Sequence, residues 1–322
     1  MRCPLLFALC SLATVGWAQP RDLGCGTPQT VVFPNSVSQT LTVWATHETP
    51  RWWRGLASDA SGQTLAATAL DGPLLLSRDA GATWQATTGP YGAWMVAMSA
   101  NGRRLVAGVK GGNLYRSTDG GTTWQAVAQP LPWYGLSTDA TGQRWLAAVA
   151  GGPLYRSTDG GKRWQPLHVS STWFATASSA NGRTLVATER RGFIHRSTDG
   201  GRTWQVISPR GPWRGVAGDT QLKRLIVGVN PGHVRISDDG GKTWRKVLHH
   251  GAWRTVASSA DGMMFVAAQE GGHIYRSTDG GLTWQAQEMP RGWLRIATNA
   301  VGNRLSAISL GPNGTLHTTH CR

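Results

Sequence analysis

The chain has 322 residues, 32 of them Lys or Arg against 17 Asp or Glu, for a net charge of +15, and it is rich in glycine (42) and tryptophan (17). That length allows one large domain or two ordinary ones, and beyond residue 18 no apolar run approaches a transmembrane span. The charge argues against a cationic partner and for an acidic one: a protein segment, an anionic glycan, or an anionic surface touched peripherally. Arginine outnumbers lysine 27 to 5, a bias that GC-rich coding also produces without selection for binding.

Residues 1–18 read as a signal peptide. Arg2 precedes an apolar run from Leu5 to Val15, and Gly16 and Ala18 put small residues where signal peptidase cuts. Cleavage near Ala18 sends the chain to the periplasm or outside the cell, where nucleic acid is not an expected partner. It leaves 19–37 as a lead segment and 38–322 as one domain, because no linker interrupts the repeats that fill the remainder. Two cysteines remain, Cys25 and Cys321, in a compartment that permits their oxidation.

From Trp84 a tryptophan returns every 40 residues, at Trp124, Trp164, Trp204, Trp244 and Trp284, each closing a phrase of the form Ser-Thr-Asp-Gly-Gly-Thr-Thr-Trp. Self-similarity at this period marks a unit that cannot bury its own apolar faces and stacks on copies of itself. Between phrases lie short alternating runs and glycine-bearing turns. In one copy these are Trp133–Ser137, Arg144–Val149, Leu154–Ser157 and Arg163–Leu167, which predicts four antiparallel strands per unit and no helix. The column Ala67, Ala107, Ala147, Ala187, Ala267 and Ala307, with Val227, keeps the facing surfaces small enough for sheets to approach to about 10 Å. A last unit begins at Trp293 and ends before any fourth strand. The stretch Gln39–Ala45, with Trp44 in phase, is expected to supply it. The predicted fold is all-β: a single seven-bladed β-propeller of four-stranded antiparallel blades, its ring closed by an N-terminal strand that completes the last blade. Closure brings the termini together, so Cys25 and Cys321 are expected to form a disulfide, worth about 5 kcal/mol at most by chain entropy.

The phrase resembles the Asp box, or bacterial neuraminidase repeat. Proteins similar in this way include sialidases, xyloglucanases, sortilin-type receptors and the photosystem II assembly factor family, all β-propellers in which the box is structural. The resemblance implies that Asp79, Asp119, Asp159, Asp199, Asp239 and Asp279 form turns. It does not extend to the sialidase chemistry of an arginine triad, a Tyr and Glu nucleophile pair and an Asp acid. Tyr115, Tyr155 and Tyr275 sit in a repeated column, and Tyr91 and Tyr134 have no evident catalytic partner.

In such a fold the Asp-box turns share one face with the turns after the first strands. The second-to-third turns and the links between blades form the other face, around the channel mouth, where function concentrates. All four glutamates, Glu48, Glu189, Glu270 and Glu288, fall there with Lys110, Arg190 and Arg191. A second tryptophan column opens the first strands, Trp53, Trp133, Trp173, Trp213, Trp253 and Trp293, with Trp94 displaced by one. Arg54, Arg214, Arg254 and Arg295 flank it. Indole faces beside guanidinium groups suit sugars or anionic chains, while a feature present in every blade also suits packing between blades. The nine histidines show no metal-ligand spacing, and no cofactor motif is present. The reading is an exported, monomeric, non-catalytic binding or assembly scaffold for a protein or anionic glycan. The alternative is a glycoside hydrolase of sialidase-like type with Glu189 and Glu270 as its carboxylates, which must then lie about 5 to 9 Å apart.

Overall fold

The structure, a computed structural model, describes residues 44–287 and 290–319. The signal peptide, the lead segment, Cys25, Cys321, Glu288 and the first residues of the stretch from Gln39 lie outside these. The described residues form strands and turns with no helix. The first full unit shows the plan: β2 (Trp53–Ser58), β3 (Leu65–Ala69), β4 (Leu75–Ser77) and β5 (Gln85–Ala86) pair in sequence order, all antiparallel. Equivalent units begin at Ala93, Trp133, Trp173, Trp213, Trp253 and Trp293.

Several strands are longer than the sequence suggests. Gln125–Thr138 runs from the fourth strand of one unit into the first strand of the next, and Gln165–Ser178 does the same. The cause is a second ladder: Gly112 pairs with Leu131 and Gly152 with Ser171, so the second-to-third turn of one unit zips onto the following link. At the end of the chain, Trp293–Ser309 and Gly314–Thr319 give only three strands. β1 (Trp44–Arg51) pairs antiparallel with the third, Trp44 opposite Thr319 and Thr46 opposite His317.

Packing follows the repeat columns. Ala67, Ala107, Ala147, Ala187, Val227, Ala267 and Ala307 are fully buried, where only small or β-branched side chains fit between facing sheets. Half-buried phrase tryptophans pack on the buried indoles of their own unit, Trp164 on Trp133 at 6.3 Å and Trp244 on Trp213 at 6.4 Å, and Trp44 takes the same place on Trp293 at 6.3 Å. A backbone circuit joins the inner turns. The amide of Ala60 donates to the carbonyl of Ala100, and so on through Ala140, Ala180, Thr220, Ala260 and Ala300, whose amide donates back to Ala60, at 2.7–3.0 Å.

The Asp boxes act on their own turns. In the second copy Ser117 Oγ donates to Asp119 Oδ1 and accepts from Gly121 N, while Thr123 donates to the carboxylate through both its N–H and its hydroxyl. The same set holds Asp79, Asp199, Asp239 and Asp279; Asp159 lacks the hydroxyl donor because Arg163 stands there. Hydrogen bonds from Thr123, with smaller ones from Ser117, hold the Asp119 carboxyl well below the usual range. The fourth residue of the phrase needs positive φ and is glycine except in the first copy, where Ala80 sits at φ 59°.

Ala80→Gly relieves this left-handed strain and should raise stability by about 0.5–1 kcal/mol in chemical denaturation, the net of lost strain and gained chain entropy. His317 is fully buried between Thr46 Oγ1 (3.2 Å) and Thr315 Oγ1 (2.6 Å), and burial, aided by Arg291 and His47, pushes its pKa down to about 4. Its folded pKa lies below the unfolded value, so the unfolded chain takes up the proton first. Stability present above about pH 6.5 should be lost as pH falls towards 4, and His317→Gln should flatten that part of a plot of Tm against pH.

Candidate binding interface

In each of these units the first strand skips a pairing just after its opening residue. Trp53 lies opposite Ala69 and Gly55 opposite Thr68, which leaves Arg54 with no cross-strand neighbour. The same β-bulge falls at Trp94, Tyr134, Phe174, Arg254 and Leu294, and within Arg214 and Gly215. A bulge re-aims the side chain of its extra residue. Here Tyr134 and Phe174 line the central cavity, while Leu294 is the exception that stays buried in the core beside Trp53.

The bulge residues meet in order. The Arg54 guanidinium lies over Trp94 at 4.8 Å, Trp94 is 6.0 Å from Tyr134, Tyr134 is 5.6 Å from Phe174, and Arg214 lies over Phe174 at 5.2 Å. Lys110 covers Trp94 at 4.7 Å. An arc of three aromatic rings is thus flanked at both ends by cations. On the cationic side Arg254 reaches Glu270 at 3.3 Å, and Asn230 Nδ2 donates to the same carboxylate. Arg214 donates to the carbonyls of Arg190 and Trp213.

Positive charge is in excess here. Desolvation, then repulsion from Arg254, holds the Arg54 guanidinium below its ordinary pKa, and desolvation with repulsion from Arg190 and Arg254 does the same for Arg214. Arg295, deeper in the cavity, is pushed down to about 10 by desolvation. Glu270 is the single carboxylate ion-paired to these arginines among the described residues. Exposed apolar groups adjoin the arc: Trp52, whose ring Arg54 also touches at 5.8 Å, and Tyr91, whose hydroxyl donates to the carbonyl of Asp71.

The sequence candidates divide accordingly. Trp53, Trp133, Trp173, Trp213, Trp253 and Trp293 are 0–2% exposed and offer no face for stacking, so the expectation that they rim the binding face is corrected. They pack between sheets, and the bulge residue beside each one takes the position assigned to it. Trp94 is not a displaced copy of that column: Ala93 fills the buried place and Trp94 is the bulge residue. Arg54, Arg214 and Arg254 are bulge residues, and Arg190 and Arg191 are exposed on the adjoining turn. Sequence reasoning does not bring Trp94, Tyr134, Phe174 and Lys110 together as a group, although the column immediately after the repeated tryptophan holds three of them. Glu189 accepts from Phe193 N and sits 2.6 Å from His195, and Glu270 is held by Arg254 and Asn230, so the two carboxylates serve different neighbours.

On the opposite face a larger cleft of about 450 Å³ lies between box turns, lined by Arg144, Arg156, Arg183 and Arg202 with Asp199. Arg144 and Arg156 donate across it to the carbonyls of Asn181 and Gly200. It is part of the scaffold of the box turns.

Family comparison matches the BNR/Asp-box repeat at residues 115–126, 235–246 and 275–286. The chain carries BNR/Asp-box repeats. No curated protein sequence matches it. Among solved structures it is similar to YCF48 from Cyanidioschyzon merolae (18% identity, TM-score 0.68, covering 86% of this chain and 98% of that one) and to YCF48 bound to D1 peptide (18%, 0.69, 89% and 99%). It is also similar to a GH74 xyloglucanase from Xanthomonas campestris (17%, 0.69, 85% of this chain and 53% of that one). Likeness at this identity shows the fold, and the chain is a β-propeller.

Trp94 carries two cations and is one of the three rings of the arc, so Trp94→Ala should destabilise the propeller by about 1–3 kcal/mol in urea denaturation. The exposed Trp52→Ala should cost less than about 1 kcal/mol.

Proposed function

We propose that this chain is an exported, non-catalytic, seven-bladed propeller that binds an acidic segment of a protein partner on the face bearing the bulge residues. The observation that carries this is the convergence of Arg54, Arg214 and Arg254 beside an aromatic arc with only Glu270 paired to them among the described residues. Arg190 and Arg191 extend the cationic surface outward. Electrostatic complementarity of this kind governs association rate and choice of partner. A structural relative is known with a bound peptide, which favours a protein over a glycan as the occupant.

The blade count and closure belong to the same reading. They are supported by the backbone circuit that returns from Ala300 to Ala60, by the pairing of β1 with Gly314–Thr319, and by Trp44 standing on Trp293 as phrase tryptophans stand on theirs. Trp44 opposite Thr319 starts the segments leading to Cys25 and Cys321 side by side, which favours their bridge.

The test is capture of partners from the exported fraction of the source cell by the mature protein, at low and high salt. Arg214→Glu with Arg254→Glu should weaken the captured complex tenfold or more, and capture by the wild type should fall with salt. Salt-indifferent capture that survives both substitutions would overturn the reading.

The likeness to a xyloglucanase favours hydrolysis as the second reading. On that reading Glu189→Gln and Glu270→Gln each abolish cleavage of a glycan. On ours no cleavage is seen with the wild type and the partner complex survives Glu189→Gln.

A further inference from the structure

Two of the four arginines in the cleft between box turns belong to the scaffold, and two do not. Arg144 and Arg156, from the unit that begins at Trp133, donate through Nη1 to the carbonyls of Asn181 and Gly200. Arg183 and Arg202, from the next unit, are exposed, and their guanidinium groups make no hydrogen bond or ion pair among the described residues. The Nε of half-buried Arg156 is also without a partner. A guanidinium carries five N–H donors, so most of the donors in this cleft are not used by the protein. The carboxylate in the lining does not take them up. Asp199 accepts from Ser197 Oγ, from the amides of Arg202 and Thr203 and from the Thr203 hydroxyl, which spends its oxygens on its own turn.

This arrangement departs from the repeat. Forty residues back, the places of Arg144, Arg156, Arg183 and Arg202 hold Arg104, Arg116, Gln143 and Lys162. Forty residues on, they hold Thr184, Arg196, Lys223 and Lys242, with Asp238 in the place of Thr198. Arginine fills all four places at this junction alone. Space differs too. A methyl group built on Gly120 or Gly240 would meet the guanidinium of Arg78 or Arg196 at 3.3 Å, and one on Gly160 would meet Gln143 Oε1 at 3.3 Å. On Gly200 it would meet nothing within 4 Å except the Gly182 carbonyl, at 3.7 Å. Elsewhere a side chain of the protein lies over this glycine of the box; here the cleft of about 450 Å³ opens above it.

We propose that this cleft binds a tetrahedral phosphate group, free or as the monoester of a small molecule. A carboxylate presents two oxygens in one plane and is served by one guanidinium fork. A phosphate dianion presents oxygens in several directions and can be held by forks from both walls, Arg144 and Arg156 on one side and Arg183 and Arg202 on the other. The volume lies within the ordinary range of small-ligand sites and leaves room for the body of an ester. The cleft lies on the face opposite the bulge residues, so the site does not rest on the protein-partner reading.

The probes are inorganic phosphate and glucose 6-phosphate, titrated calorimetrically into the full-length protein at fixed ionic strength, with acetate and glucose as controls. Saturable one-to-one binding of a phosphate probe is expected, at least about tenfold tighter than acetate. Saturation by neither probe, or acetate binding equally well, would overturn the proposal. Glucose 6-phosphate binding at least as tightly as phosphate assigns the cleft to esters; an ester about tenfold weaker assigns it to the free anion. Arg183→Gln with Arg202→Gln changes two exposed side chains, leaves the fold intact, and should weaken phosphate binding about tenfold or more. Arg103→Gln with Lys242→Gln removes the same charge at other junctions and should change the affinity less than about twofold. Equal losses in the two pairs would show a response to net charge alone and overturn the proposal. Capture of the protein partner is expected to persist in Arg183→Gln with Arg202→Gln, so failure of one reading is distinguishable from failure of the other.

Discussion

The bond on which the rest of this structure depends is the backbone hydrogen bond between turns forty residues apart. The Ala60 amide reaches the Ala100 carbonyl, Ala100 reaches Ala140, and the step recurs to Ala300, which reaches Ala60. Such a bond fixes the separation of neighbouring first strands whatever their side chains are. Because the frame is set by main chain, the bulge residues can vary freely among Arg, Trp, Tyr, Phe and Leu without altering the spacing. Variation on a fixed frame is how one repeated unit yields a face with a cationic and an aromatic side.

Arginine serves two ends of the molecule differently. On the box side, guanidinium groups bridge units: Arg116 donates to the carbonyl of Gly160, Arg156 to Gly200, Arg78 to Gly120 and Arg245 to Gly281. These are ties to orphan turn carbonyls, and they account for part of the net charge of +15 without any ligand. On the other side Arg54, Arg214, Arg254 and Arg295 crowd one another, and burial, with repulsion among them as the smaller cause, lowers the pKa of Arg54, Arg214 and Arg295. Total charge is therefore a poor guide to binding here. The informative quantity is how many of a guanidinium's donors the protein itself satisfies.

Most of the architecture was legible because it is written in periods. The phrase ending in Trp84 and its copies mark the unit, the alanine column marks the buried contact between sheets, and within each phrase the serine and aspartate bond to one another in their own turn. The site was only half legible. Flanking arginines are visible in sequence, but the period is carried by the buried tryptophans, and Trp94, Tyr134 and Phe174 stand one place later. A bulge leaves no signature in a strand pattern of period two: it adds one residue, and alternation then assigns that residue to the wrong face. The long strands through the links are hidden for a similar reason, since Gly112 and Gly152 read as turn residues and not as ladder residues.

The two carboxylates nominated for hydrolysis illustrate why composition on a functional face does not amount to chemistry. A general acid needs a proton near neutrality and a base needs a free lone pair directed at the reacting bond. Glu189 spends its oxygens on Phe193 N and His195, closing the turn that carries Arg190 and Arg191. Glu270 spends its oxygens on Arg254 and Asn230, where it fixes one of the bulge guanidiniums in place. Of the two, only Glu270 touches a guanidinium; Glu189 closes its turn through Phe193 N and His195. The neighbours of a carboxylate, more than its place on a face, decide what its oxygens can do.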